Sequence, residues 1–280
     1  MLEILQMGFI KNAIVAIIFG SVLCGIIGSY VVVNRITFLA GGVAHASFGG
    51  VGLAFFLNIP VLPTTFVFSL VASALIGILT VRDSEKIDTA VGILWSSGMA
   101  VGIILLDLTP GYKGNLMGYL FGSILGVSNG DLLFMAISTF VVILLVIVFY
   151  RNLAIMSFDR EFAAVQGVPV GFFHVLVLVF IGFSLVILIR VSGLILVIAL
   201  LSIPPAIASK FTKSFFSMII FSVGINLVIG FSGLYFSYYF NVSSGASIIL
   251  LLSALYCIIV LSETTYKYFR KYNENCFDKS

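Results

Sequence analysis

Residues 131–150 read DLLFMAISTFVVILLVIVFY, a long and almost uninterrupted apolar stretch. After its first residue this one contains no Asp, Glu, Lys or Arg. A helix of about 20 predominantly apolar residues crosses the hydrocarbon core of a membrane. Similar stretches follow one another along the chain. We therefore predict an all-α polytopic membrane protein with nine transmembrane helices, or eight if the sixth and seventh are drawn differently, at residues 12–33, 38–57, 61–80, 90–107, 131–150, 170–189, 191–209, 215–237 and 245–262.

The composition points the same way. Of the 280 residues, 61% are hydrophobic and 9% are charged, whereas a soluble globular domain has about 25% charged residues. This balance argues against a soluble enzyme, a disordered protein and a nucleic-acid binder, and it predicts membrane lipid as the surroundings. The net charge of +3 does not indicate an anionic partner, because Lys and Arg in short loops follow membrane topology. The three Cys are too few for a disulfide framework.

The loop charges predict the orientation, because cytoplasmic loops carry an excess of Lys and Arg. We expect the N-terminus outside and the C-terminus inside. We also expect a single transmembrane domain over residues 1–280, a cytoplasmic tail at 263–280 and a short extramembrane or partly inserted helix at 116–127. This orientation places eleven of the fourteen basic residues inside, namely Arg35, Arg82, Lys86, Arg151, Arg160, Lys210, Lys213, Lys267, Arg270, Lys271 and Lys279, and leaves Lys11, Lys113 and Arg190 outside.

Small residues recur at helical spacing in the first two spans. Residues four apart lie on one face of a helix, and small side chains let membrane helices approach closely. We therefore expect both spans to pack inside a bundle through Gly20, Gly25 and Gly28 in the first span and Gly42, Ala46 and Gly50 in the second.

Few ionisable or helix-bending residues lie deep in the spans. His45 falls in the middle of the second span, where an ionisable residue is a functional hypothesis by default, and imidazole is the commonest transition-metal ligand. The alternative is a neutral His hydrogen-bonded to a neighbouring helix. His174 is expected to be an interfacial residue of the sixth span. Pro204 and Pro205 in the seventh span are either a structural kink or a break that lines a transport path.

The segment from Ser157 to Pro169 is unusual for an inner loop. Ser157 can cap a helix, acidic residues suit its first turn, and Gly167 can end it. The sequence thus predicts a short amphipathic cytoplasmic helix, which either lies on the membrane surface or docks into a groove of a partner. The residues that would take part are Phe158, Asp159, Glu161, Phe162, Ala163, Val165, Gly167 and Val168.

No catalytic motif is visible, so we expect that the chain is not an enzyme and that any ATP hydrolysis belongs to another subunit. Four stretches instead resemble one family. They are AHAS at residues 44–47, IDT with GI at 87–93, YLFG at 119–122 and the segment from GLIL to IPPA at 193–206. Together, in this order and spacing, they resemble the membrane permease of bacterial ABC importers for divalent metals, the zinc/manganese uptake permease family.

The resemblance implies an assembly and a site. Such permeases form homodimers with a translocation path at or near the dimer interface, in the bacterial or archaeal cytoplasmic membrane. A cytoplasmic ATPase that binds ATP docks on the loop matching 158–168, and an extracytoplasmic binding protein delivers the metal. No cofactor is bound by the permease itself. Carried over to this chain, the path residues are His45 as the metal ligand, with Ser47, Ser96, Pro204 and Pro205.

The chain departs from the family pattern at two places. Many members have an Asp where this chain has Gly41, and some zinc members have a His where it has Ser96. The ion therefore stays open between zinc and manganese, with iron as a further candidate. Alternatives from other classes are a stand-alone secondary transporter or channel for a small ion, an ABC permease for a metal chelate, and an intramembrane enzyme, against which the near absence of buried acids argues.

Overall fold

The computed structural model describes residues 8–81, 87–110 and 124–277, and these residues form helices without any strand. The predicted inner loop with Arg82 and Lys86, and most of the predicted helix at 116–127, lie outside the described residues. The helices are α1 Gly8–Val33, α2 Thr37–Ala46, α3 Phe48–Leu57, α4 Val61–Thr80, α5 Ile87–Asp107, α6 Asn129–Phe158, α7 Arg160–Val165, α8 Val170–Ser192, α9 Leu194–Phe211, α10 Phe215–Phe240 and α11 Ser244–Phe277, with one 3₁₀ turn at Ile124–Gly126.

The all-α polytopic class is confirmed. Among the described residues, eight helical segments are long and apolar enough to cross a membrane, with α2 and α3 together forming one of them, Thr37–Leu57. The predicted seventh span corresponds to the shorter apolar helix Ile195–Phe211. The orientation of the chain stays a prediction.

Three of the spans form the centre of the bundle. In α1, α2–α3 and α8, 72–78% of the residues in the apolar 18-residue stretch of each span are buried inside the protein. The corresponding share in the other five spans is 22–33%. The outer helices therefore present apolar side chains outwards, as lipid-facing helices do. The inner helices carry the small residues and both histidines.

Turn residues define several helix ends. Ser128 and Asp131 form a capping box at the start of α6, in which Ser128 Oγ accepts from Asp131 N at 3.2 Å and Asp131 Oδ2 accepts from Ser128 N at 3.0 Å. Asn58 and Asn241 end α3 and α10 in left-handed conformations. At the other end α6 continues to Phe158, beyond the predicted limit of residue 150.

Two expectations about helix ends need correction. The predicted seventh span does not break at its prolines, because α9 runs unbroken through Pro204 and Pro205. The helix is interrupted instead at Gly193, between α8 and α9, where φ is 81°, a value that glycine tolerates. The last helix also continues beyond the predicted limit of residue 262, since α11 runs to Phe277. An ion pair of Glu263 with Lys267 one turn later, at 2.9 Å, supports this extension.

Candidate functional site

His45 lies in the last turn of α2 and stacks on the single Trp of the chain. The ring centroids of His45 and Trp95 are 4.1 Å apart with an angle of 9° between the planes. His45 is half-buried, and its Nδ1 is buried without a hydrogen-bond partner among the described residues. A neutral imidazole nitrogen with a free lone pair can ligate a transition metal. The sequence analysis did not single out Trp95, although this residue is the only Trp of the chain and directly precedes the predicted path residue Ser96.

The register of α5 against α2 and α3 puts Trp95 beside His45. A Cβ added to Gly98 would lie 2.6 Å from Ala46 Cα, so α5 can approach this closely only with glycine at that position. Gly42 likewise faces Val91. Because both sets of contacts advance in the same direction along the chain, the helices run parallel, and Trp95 is level with His45.

The two hydroxyls predicted to line the path do not form hydrogen bonds with His45. Ser47 occupies the one-residue interruption between α2 and α3, is buried, and donates from Oγ to Val43 O at 2.7 Å. Ser96 is exposed and donates to Gly92 O at 2.8 Å. In the described part of the chain, no hydrogen bond links either hydroxyl to His45.

The described residues hold no cluster of three His, Cys, Asp or Glu that could enclose a metal ion. At Gly41, one turn before His45, a Cβ would meet only Ile198 Cδ1, at 3.8 Å. The space for a longer side chain is thus present, while the carboxylate itself is missing from the sequence. Among the described residues, the His45 imidazole therefore has no pair of further His, Cys, Asp or Glu side chains beside it that would complete a metal site.

Pro205 and Gly28 meet where α9 crosses α1. Proline at position 205 has no N–H to donate to Leu201 O. That carbonyl oxygen lies 2.5 Å from the position that a Cβ on Gly28 would take, and Pro205 Cγ lies 2.8 Å from it. Glycine at position 28 therefore lets α1 cover the carbonyl that the proline frees. Pro204 is buried next to this contact.

The remaining small residues predicted to pack lie at similar crossings. Gly25 faces Val223 of α10, with 2.9 Å from its added Cβ to the Val223 backbone nitrogen. Gly50 faces Thr65 and Phe68 of α4. Gly20 has only ordinary contact, at 3.5 Å, with Leu188 Cδ2.

The segment 158–168 contains the short helix α7. Asp159, rather than Ser157, caps it, because Asp159 Oδ1 accepts from Phe162 N at 2.9 Å while Ser157 belongs to α6 and donates to Leu153 O. Ala163 is completely buried, and Gly167 ends the segment with a φ of 78°. The outward side is apolar, with Phe158 68%, Phe162 50% and Val165 87% exposed; Glu161 is exposed as well, and Val168 is half-buried.

Comparison with known proteins identifies the protein family to which the chain belongs. Residues 6–263 match the family described as the ABC 3 transport family. The chain belongs to this family. A membrane protein of Synechocystis sp. is 42% identical over 92% of each chain. The manganese import system permease protein ScaB of Streptococcus gordonii is 31% identical over 94% of each.

A solved structure of the same kind matches the fold. The structure titled PsaBC from Streptococcus pneumoniae in complex with Fab superposes with a TM-score of 0.80 at 32% identity, covering 90% of this chain and 91% of that one. Membership of the ABC 3 transport family confirms the resemblance, the multi-pass membrane location and the role of a permease subunit that is not itself an enzyme. It contradicts the alternative of a stand-alone transporter or channel.

Proposed function

We propose that this chain is the transmembrane subunit of an ATP-driven importer that carries a divalent transition metal ion. Manganese is the first candidate because relatives such as ScaB carry it in their names. Zinc and iron are the next candidates. The ion is the cargo of the permease and passes through the bundle without becoming a resident cofactor.

The observation that carries this proposal is the unpartnered Nδ1 of His45 inside a central span. A polar atom that is buried without a hydrogen bond destabilises the fold. The unpaired Nδ1 is therefore evidence for a further partner, which binds this atom only during transport. The flat stack on Trp95 holds the ring plane and leaves Nδ1, at the edge of the ring, without a hydrogen bond among the described residues. A passing metal ion is a partner of the right chemistry.

A single strong ligand is consistent with transport. An ion that is bound by several fixed ligands leaves slowly, whereas one imidazole with carbonyls, hydroxyls and water binds weakly enough for release. Such a site does not discriminate sharply among manganese, zinc and iron, because raw affinity follows the metal more than the protein. Selection then falls to the extracytoplasmic binding protein. Ser47, Ser96, Pro204 and Pro205 are proposed as further path residues.

The assembly that we propose contains two copies of this chain, cytoplasmic ATPase subunits and the binding protein. ATP is bound and hydrolysed on the ATPase. The exposed apolar side of α7, with Phe158, Phe162 and Val165, supports α7 as the docking helix for the ATPase. The single transmembrane domain, the N-out orientation and the cytoplasmic location of the tail belong to the same proposal.

The experiment is metal accumulation in a bacterial strain that lacks its own manganese, zinc and iron uptake systems. The permease is expressed with its ATPase and binding-protein subunits, and total cell metal is measured by mass spectrometry. The matched control carries an ATPase that binds but cannot hydrolyse ATP. We expect manganese to rise only with the active ATPase. If the complex assembles and no divalent metal rises, the metal assignment is wrong, and a metal chelate becomes the cargo to test.

The docking role of α7 has its own test. Gly167→Pro cannot adopt a φ of 78°, since proline fixes φ near −65°, and it removes the bond from Gly167 N to Ala164 O. We expect membrane insertion to continue while uptake is lost. Uptake equal to wild type in this variant would exclude the assignment.

A further inference from the structure

A cavity of about 350 Å³ lies beside α7, between the turn that follows α1, the start of α5 and the end of α6. We call it the α7 cavity. Its walls are partly apolar, with Phe38, Leu39 and Met156 among the lining residues. Its charged lining residues are Arg35, Asp88 and Arg160. Two permanent cations thus face one carboxylate within the described wall.

Arg35 takes its place in the wall in a strained conformation. Its φ is 59°, in the left-handed region where a residue with a Cβ is disfavoured. Bonds from Arg35 N to Val32 O at 3.1 Å and from Ile36 N to Val31 O at 3.0 Å close the end of α1, and glycine is the usual residue at this position. Its guanidinium makes no hydrogen bond or ion pair with any other described residue.

Arg160 connects the same cavity to the interior. Its Nη2 lies 3.3 Å from Nδ1 of His174, which is only 3% exposed. A guanidinium can only donate, so this Nδ1 accepts and the proton of the neutral ring is on Nε2. Nε2 lies 2.9 Å from Thr80 Oγ1 and donates to it, and the Thr80 hydroxyl donates to Ile76 O at 2.8 Å. One chain of hydrogen bonds therefore joins α7, α8 and α4.

We propose that the α7 cavity receives an acidic side chain of the ATPase subunit, bound by Arg35 and Arg160, and that Arg160 transmits this contact through His174 to Thr80 of α4. The inference rests on the proposed function, because it takes the ATPase as the partner at α7. The excess of positive charge among the described residues of the wall favours a carboxylate over an ammonium group. Charge-assisted bonds to arginine are the strong class of hydrogen bond and fix geometry as well as affinity.

The proposed transmission follows from the donors that Arg160 has. A guanidinium has five N–H donors, and the bond to His174 uses one of them. The others can bind a carboxylate that enters the cavity. When the ATPase shifts α7, Arg160 moves with it, and His174 then acts on α8 and α4 together. His174 and Thr80 are positioning residues here, because neither contacts the cargo or ATP.

Binding is tested first, with the complete complex purified through a tag on the permease. The variants are Arg35→Gly and Arg160→Gln, and the matched control is Arg151→Gln, an exposed arginine of α6 outside the cavity wall. We expect the ATPase retained per permease to fall about tenfold in both variants and to stay at the wild-type level in the control. Arg35→Gly also removes the backbone strain, so the unfolding temperature should be equal or higher. If the ATPase is retained as well as in the control, Arg35 and Arg160 do not bind the ATPase, and that part of the proposal is wrong.

Transmission is tested by manganese uptake per ATP hydrolysed, in proteoliposomes that contain the complex, with the binding protein added. Thr80→Val removes the hydroxyl that accepts from His174, and Thr80→Ser keeps it. We expect uptake per ATP to fall about fivefold in Thr80→Val and to remain near wild type in Thr80→Ser, with ATPase retention unchanged in both. Equal ratios in the two variants would overturn the transmission half.

His174→Phe protects this test against a folding failure of Thr80→Val. Its ring has a similar shape but no nitrogen atoms, so it loses the bonds to both Arg160 and Thr80. The same fall in uptake per ATP is expected, and a wild-type ratio contradicts the proposal. The wild-type complex separates the two hypotheses. If it neither retains an ATPase nor takes up manganese, the proposed function fails. If it does both and the variants behave like wild type, only the present inference fails.

Discussion

The two histidines of the chain lie in two chemically different regions. His174, at the start of α8, is 3% exposed, and both ring nitrogens have partners, Arg160 and Thr80. His45, at the end of α2, is half-buried and stacks on Trp95, and its Nδ1 has no hydrogen-bond partner among the described residues. Burial alone ranks His174 as the more unusual residue. Hydrogen bonding reverses the ranking, because a satisfied ring stabilises the fold whereas an unsatisfied ring can still accept a ligand.

The His45 ring is the side chain whose loss should reduce transport most. His45→Ala removes the proposed metal ligand, and we expect manganese uptake to fall at least about tenfold. Uptake is measured with radioactive manganese at equal permease abundance and equal ATPase retention. The control is His45→Gln, which keeps an acceptor and should retain part of the activity. Full uptake by His45→Ala cells would remove His45 from the path.

The second prediction compares the two residues by stability. His174→Leu leaves the Arg160 guanidinium without its partner and breaks the link to Thr80, so we expect a loss of about 1–3 kcal/mol in the free energy of unfolding. His45→Leu removes a polar atom that lacks a bond, so the same quantity should be unchanged or higher. Thermal unfolding in detergent measures both variants in parallel. A larger loss for His45→Leu than for His174→Leu would reverse the proposed division.

Most of the fold could be predicted from the sequence because a membrane span requires a long apolar run. The exact ends of two helices depend on single residues rather than on the apolar pattern, because Asn58 and Asn241 end α3 and α10 in left-handed conformations. The predicted helix ends were wrong where the helix does not depend on the apolar run. The helix α6 continues to Phe158 after the apolar run ends at residue 150, since a helix need not stop where the membrane does. The prolines of α9 remain helical because tertiary contacts at Gly28 cover a freed carbonyl.

The candidate site was predictable only in part. His45 could be singled out because it is an ionisable residue inside an apolar run. Its contact with Trp95 depends on the register of two helices fifty residues apart in the chain, and no local pattern encodes that register. The bonds of His174 to Arg160 and Thr80 are likewise products of tertiary packing. The sequence placed His174 at the membrane interface, which stays a prediction, but its burial against Arg160 and Thr80 could not be predicted from the sequence.

The stack of Trp95 on His45 should fix the orientation of the imidazole ring. Trp95→Phe keeps an aromatic face against His45, whereas Trp95→Ala leaves the imidazole free to rotate. An aromatic stack is worth about 0.5–1.5 kcal/mol, so we expect Trp95→Ala to raise the manganese concentration at half-maximal uptake about threefold, with Trp95→Phe close to wild type. Uptake rates over a range of manganese concentrations give this value. Identical curves for the two variants would show that the stack does not position the ring.

The two hydroxyls that were predicted as path residues with His45 should contribute least to transport. Ser47 and Ser96 each donate to the carbonyl four residues earlier in the chain, at 2.7 Å to Val43 O and 2.8 Å to Gly92 O. Such back-bonds contribute little to stability, so any effect of Ser47→Ala or Ser96→Ala on uptake reports contact with the ion through the oxygen lone pairs. We expect a change of less than about twofold for each, because neither hydroxyl is bonded to His45. A loss as large as that of His45→Ala in either variant would add its oxygen to the ligand set and make the site more than a single imidazole.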